Sequence, residues 1–132
     1  MSLSSVSRIR VRYAETDQMG VAWHGNVFAW FEVGRTDLLR ELGTTYRQLE
    51  AEDVRLPVVE AHARYHRPVR YDDLVEVRTR LARHSGVRLA FEYEIHRTGA
   101  EGALVSGETS HVAVGVGGRP RRLPEGLRRL LA

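Results

Sequence analysis

Asp17 lies in the run Thr16-Asp17-Gln18-Met19-Gly20-Val21-Ala22-Trp23-His24, seven residues ahead of a histidine that opens a strongly apolar stretch. A carboxylate on a glycine-bearing loop before a helix sits beside backbone N–H groups that have no intrahelical acceptor, at the positive end of the helix dipole. That combination suits attack on a carbonyl carbon. The acid can activate water or attack directly, and the N–H groups hold the oxyanion as it forms. An acid in this place also serves as a cap or as a solvated charge, so the loop alone leaves both roles open.

Other residues compete for chemistry. His24 is either a helix-start residue or a group that positions substrate. Glu32 stands three residues before Arg35, a spacing that makes an ion pair on one helix face. His62 and His66 lie four apart on a strand pattern, hence about 13 Å apart on its polar face, too far to share a metal ion. No metal is expected. Asp72 and Asp73 follow Tyr71 in a turn, where aspartate bonds its own backbone. Arg83, His84 and Arg88 flank a turn and could clamp phosphates or be solvated.

Periodicity supplies the elements that must position these groups. Residues 6–13 alternate, with Ile9, Val11 and Tyr13 on one face and Arg8, Arg10 and Arg12 on the other, which predicts a strand with one wet face. From His24 to Leu42 the spacing changes to Val27, Phe28, Trp30, Phe31, Leu38, Leu39 and Leu42, and Gly43 follows. This predicts one long helix, largely enclosed through its first half and stopped by the glycine. Gly34 costs roughly 1 kcal/mol of helix propensity relative to alanine, which makes sense where a sheet packs closely. A short polar helix is expected over 45–52 and a helical tail over 124–131.

Four further strands alternate in the same way: Val59 to His66, ended by Pro68, then Val75 to Leu81, Leu89 to Ile95, and 103–116. The last three are joined by short glycine-bearing turns and must be antiparallel neighbours. One long helix with five such strands is an α+β arrangement in which the sheet curls around the helix.

The 132 residues are 42% hydrophobic, enough for one domain with a real core and too few for a second, so residues 1–132 are read as a single domain. The net charge of +3 comes from 20 arginines, with no lysine, against 17 acids. A basic surface suits a polyanionic ligand, although the arginines are dispersed over strand faces without exposed aromatics between them, which disfavours nucleic acid. With no cysteine there is neither a disulfide frame nor a thiol nucleophile. No stretch approaches the roughly 20 apolar residues of a membrane span, and no signal-peptide core is seen at the start, so a cytoplasmic protein is expected.

Several motifs are shared across the chain: Thr16-Asp17 with Gly20-Val21, His24-x-Asn26, Phe31-Glu32-x-x-Arg35, Tyr65-x-Arg67-Pro68 with Tyr71-Asp72-Asp73, and Gly118-Arg119-Pro120. Together they resemble the hotdog-fold thioesterases of the 4-hydroxybenzoyl-CoA thioesterase and YbgC-like group. The resemblance implies a sheet of order 1-3-4-5-2 around one central helix. It also implies a homodimer joined through the second strand, with a dimer of dimers as its further assembly and active sites at the interface. It implies hydrolysis of a short-chain or aromatic acyl-CoA or acyl-carrier-protein thioester, with no cofactor beyond the coenzyme A of the substrate. Asp17 would be nucleophile or general base, assisted by His24. The amides of Gly20, Val21 and His24 would hold the oxyanion, and Trp23, Asn26, Glu32, Val58 and Val59 would line the acyl pocket. Arg83, His84 and Arg88 would meet the nucleotide. Gln18-Met19 and Val27 depart from the family's usual residues in the region of that pocket. Two alternatives stand beside this reading: a hotdog dehydratase or hydratase, moving protons at carbon, and a non-catalytic acyl-CoA sensor.

Overall fold

The computed structural model describes residues 3–131. Its strands are β1 (Ser4–Arg10), β2 (Val58–Tyr65), β3 (Leu74–His84), β4 (Arg88–Arg97) and β5 (Ala103–Val112). Its helices are α1 (Asn26–Glu41), α2 (Tyr46–Ala51) and α3 (Glu125–Leu131). The strands form one antiparallel sheet in the order β1-β3-β4-β5-β2, as the family resemblance implied. Helix α1 packs against one face of this sheet.

The strand alternation decides which side chains meet α1. Val75, Val77, Thr79 and Leu81 of β3 and Leu89, Phe91, Tyr93 and Ile95 of β4 are all buried, while Arg78, Arg80 and Glu94 point to the wet face. From α1, Val27, Trp30, Phe31, Leu38 and Leu39 enter the same core. The Phe31 ring stacks on Tyr93, with centroids 4.2 Å apart and planes 7° from parallel. Gly34 meets the sheet as its position suggested: a Cβ there would collide with Thr79 Oγ1, so the close approach requires glycine. Gly43, at φ +92°, follows the end of α1, and Thr45 accepts the Gln48 amide to start α2.

Three expectations are corrected. β1 ends at Arg10, and Tyr13 lies in a 3₁₀ turn (Tyr13–Glu15) with 77% of its surface exposed, because the chain must leave the sheet to reach the loop before α1. β5 stops at Val112, where the chain turns to pair Val114 with Arg55 and Pro120. The first half of α1 is not fully enclosed, since Phe28, Ala29 and Val33 form an exposed stripe. The reason is lateral placement. α1 packs chiefly over β1 and β3, which leaves the inner face of β2 uncovered, with Val58, Val59 and Tyr65 all about half exposed.

A polar chain crosses the core. The hydroxyls of Tyr93 and Thr109 lie 2.6 Å apart, Thr109 Oγ1 is 2.8 Å from His111 Nε2, and His111 Nδ1 is 3.0 Å from the Leu56 carbonyl. Burial, reinforced by the Arg35 charge and opposed by the Leu56 bond, lowers the pKa of His111 from 6.5 to about 4. The unfolded chain therefore binds more protons than the folded one between those values, and stability falls as pH drops from 6.5 toward 4. Denaturant midpoints should record a loss of about 2 kcal/mol between pH 7 and pH 5 from this group. His111→Gln should flatten that part of the profile; a slope unchanged by the substitution would rule the mechanism out.

Candidate active site

The loop that carries Asp17 is built around its neighbour Glu15. This buried acid accepts the Arg12 amide at 2.7 Å and the Trp30 indole N–H at 2.9 Å, while its own carbonyl accepts the Trp23 amide and the Asn26 side-chain amide. Burial alone would raise the carboxyl pKa of Glu15, but these donors and the Arg12 guanidinium outweigh it and hold the pKa below the usual value. Glu15 thus ties the loop to both ends of the α1 entry. The sequence pattern did not single it out; its one signal was an acid two residues before Asp17, at a place where the chain has to bend.

On this frame Asp17 is half-buried. Its Oδ1 accepts the Met19 amide at 2.8 Å, its amide donates to the Val21 carbonyl, and its carbonyl accepts the Gly20 amide at 3.0 Å. Among the described residues Oδ2 has no hydrogen-bond partner and is free to act. Asp17 lines a cavity of about 290 Å³ together with Met19, Val21, Ala22, His24, Val27, Tyr65, His66, Arg67, Pro68, Val69 and Val105.

Gly20, at φ +82°, is the hinge that turns the loop back. Its amide is spent on the Asp17 carbonyl and the Ala22 amide on the Val69 carbonyl. Gly20 is therefore corrected as an oxyanion donor. The amides of Val21, His24 and Gly25 have no acceptor among the described residues, and α1 starts without a side-chain cap. Gly25 was missed because only the observed start of α1, at Asn26, exposes its amide. Its closeness to Trp23, whose ring a Cβ at position 25 would strike, was equally invisible in the sequence.

The expected acyl-pocket residues are not brought beside Asp17 within one protomer. Trp23 is half-exposed, its ring 5.1 Å from that of His24. Asn26 is committed to the Glu15 carbonyl at 2.7 Å. Glu32 is exposed and near Tyr46, whose hydroxyl pKa its charge helps to raise, after burial and against Arg35. Arg35 does not pair with Glu32 and instead donates to Tyr46 Oη at 3.1 Å. Val58 and Val59 open β2, at the far end of that strand from Tyr65.

Arg83, His84 and Arg88 do cluster, lining a cavity of about 320 Å³ with Glu60, Ser85 and Ser110. Arg83 is already paired with Glu108, while the Arg88 guanidinium has no acidic partner among the described residues. Asp73 accepts from the Arg70 amide and from Arg97, the structural turn its type suggested. His62 pairs with Glu108 across the outer sheet face. His66, just past the end of β2, keeps the polar face that the alternation predicted: its ring is 2.8 Å from Ser106 Oγ, on the side of the sheet that carries His62 and Glu108, and the residue also borders the Asp17 cavity.

Comparison with known proteins agrees with this architecture. A model of the thioesterase-like superfamily matches residues 11–131. The acyl-CoA thioester hydrolase YbgC of Escherichia coli O157:H7 is 33% identical over 122 residues, 90% of this chain and 89% of that protein. The structure of hypothetical protein TT1821 from Thermus thermophilus superposes with a TM-score of 0.90 at 44% identity, covering 96% of both chains. The DHNA-CoA thioesterase from Staphylococcus aureus superposes with a TM-score of 0.86 at 34% identity, covering 90% of this chain and 80% of that one.

Proposed function

Because the chain belongs to the thioesterase-like superfamily, we propose that it is an acyl-CoA thioesterase, releasing a short-chain or aromatic acid and coenzyme A from their thioester. One observation carries the reading: Oδ2 of Asp17, unpartnered among the described residues, shares a small cavity with a helix start whose amides have no acceptor among them. In the nucleophilic route Oδ2 bonds to the thioester carbon, the C–S bond breaks, the thiolate leaves, and water cleaves the resulting anhydride. In the general-base route Oδ2 takes a proton from water as that water attacks the same carbon; the C–S bond then breaks and the thiolate leaves, taking up the proton held by Asp17. Both routes place negative charge on the carbonyl oxygen, and the His24 amide, with Val21 or Gly25, supplies the donors for it. No cofactor enters either route; coenzyme A comes as part of the substrate. The reading locates the enzyme in the cytoplasm, where such thioesters form.

The reading also calls for a homodimer. The arginine turn between β3 and β4 lies at the Val58 end of β2, and Asp17 at the Tyr65 end, so about 20 Å of strand separates them. A two-fold pairing of β2 with its copy is antiparallel and would set one protomer's arginine turn beside the other's Asp17 cavity. The uncovered inner face of β2 and the stripe of Phe28 and Val33 support this contact.

A panel of acyl-CoA esters scored by thiol release tests the activity; a chain that releases no thiol from any of them would refute it. For the arginine turn, Arg88→Ala should raise KM for acyl-CoA about tenfold at nearly constant kcat, since uniform binding is what it removes. A short thioester without the nucleotide should be hydrolysed equally by both proteins. Equal losses on the two substrates would exclude phosphate binding by Arg88.

A further inference from the structure

Tyr65 closes β2 and reaches 41 residues back to the α1 entry, where its hydroxyl donates to the His24 carbonyl at 2.8 Å. Its ring meets that of His24 edge-on, with centroids 6.4 Å apart and planes 88° apart, and both residues line the Asp17 cavity. Among the described residues this is the one side-chain hydrogen bond to the backbone of residues 23–25. That turn needs it. No side chain caps α1, and the His24 carbonyl otherwise holds only the Val27 amide, at 3.3 Å.

We propose that Tyr65 is a positioning residue of the reaction, fixing the His24–Gly25 peptide so that the helix-start amides are aimed before substrate arrives. This rests on the thioesterase reading above. A peptide group is planar, so a hydrogen bond that fixes its carbonyl also fixes its N–H, here that of Gly25. Accepting a hydrogen bond at oxygen also polarises the amide and strengthens its N–H as a donor. The Trp23 ring packed on Gly25 restrains the same peptide from its other end. Preorganised donors contribute to the transition state because they need not reorient as charge develops. Burial raises the Tyr65 hydroxyl pKa above its ordinary value, which favours the protonated, donating form.

Such a residue acts on kcat. Tyr65→Phe keeps the ring and removes only the hydroxyl, and it should lower kcat about tenfold, equivalent to about 1.4 kcal/mol in the barrier, with KM, melting temperature and oligomeric state unchanged. Amide hydrogen exchange should quicken at Asn26 and Val27, whose N–H groups donate to the Trp23 and His24 carbonyls, in the same variant. A kcat within twofold of the parent, or a loss appearing in KM or in the melting temperature, would overturn the assignment. The parent's own turnover separates the two ideas: an active parent indifferent to Tyr65→Phe removes the role of Tyr65 alone, whereas a parent inactive on every thioester removes both.

Discussion

Asp17→Asn should lower turnover by about 10²- to 10⁴-fold, the contribution of a positioned base or nucleophile, while the fold and acyl-CoA binding persist. Asparagine keeps the shape of aspartate and can still accept the Met19 amide through its side-chain oxygen, so the loop should hold its course. What it loses is the free carboxylate oxygen, which can attack or take a proton. The frame of the loop belongs to Glu15, and the amides belong to the start of α1, and neither changes. Steady-state thiol release and calorimetric acyl-CoA binding measure the two halves separately. Asparagine caps as well as aspartate, so a purely structural Asp17 would leave turnover within tenfold of the parent. That result would end the assignment and turn attention to His24 and to Glu32.

Ala61→Asp should produce a monomer without measurable turnover. Ala61 stands opposite Thr109 in the sheet register, on the inner side of β2, and is exposed in a single chain. A carboxylate there costs an isolated protomer little, because it is solvated. At a closed β2–β2 interface the same carboxylate is buried without a partner, at a cost of several kcal/mol, enough to shift a micromolar dimer to monomer. Light scattering reports the mass, and activity measured on the same fractions tests whether one chain suffices. A monomer with full turnover would refute the shared site, and a dimer that persists would move the interface elsewhere.

Strand and helix identity was legible in the sequence because it depends on period. Alternation along β3 and β4 assigned each side chain to the core or to water, and the seven-residue interval between Asp17 and His24 announced a loop before a helix. Thr45, Gly43 and Gly34 marked a cap, a stop and a close approach, since each is a local demand on backbone or volume. The strand order came from resemblance, because pairing between distant strands leaves no local trace. The site was legible only in part. Which amides stay unpaired depends on where the loop spends its hydrogen bonds: Gly20 satisfies Asp17's own carbonyl, Gly25 is left free, and Glu15 holds the turn together. Tyr65 reaches the cavity because β2 ends beside β5 at Val105, a contact between segments 40 residues apart in the chain. The lateral position of α1 over β1 and β3 is likewise a packing outcome, and it leaves the inner face of β2 uncovered.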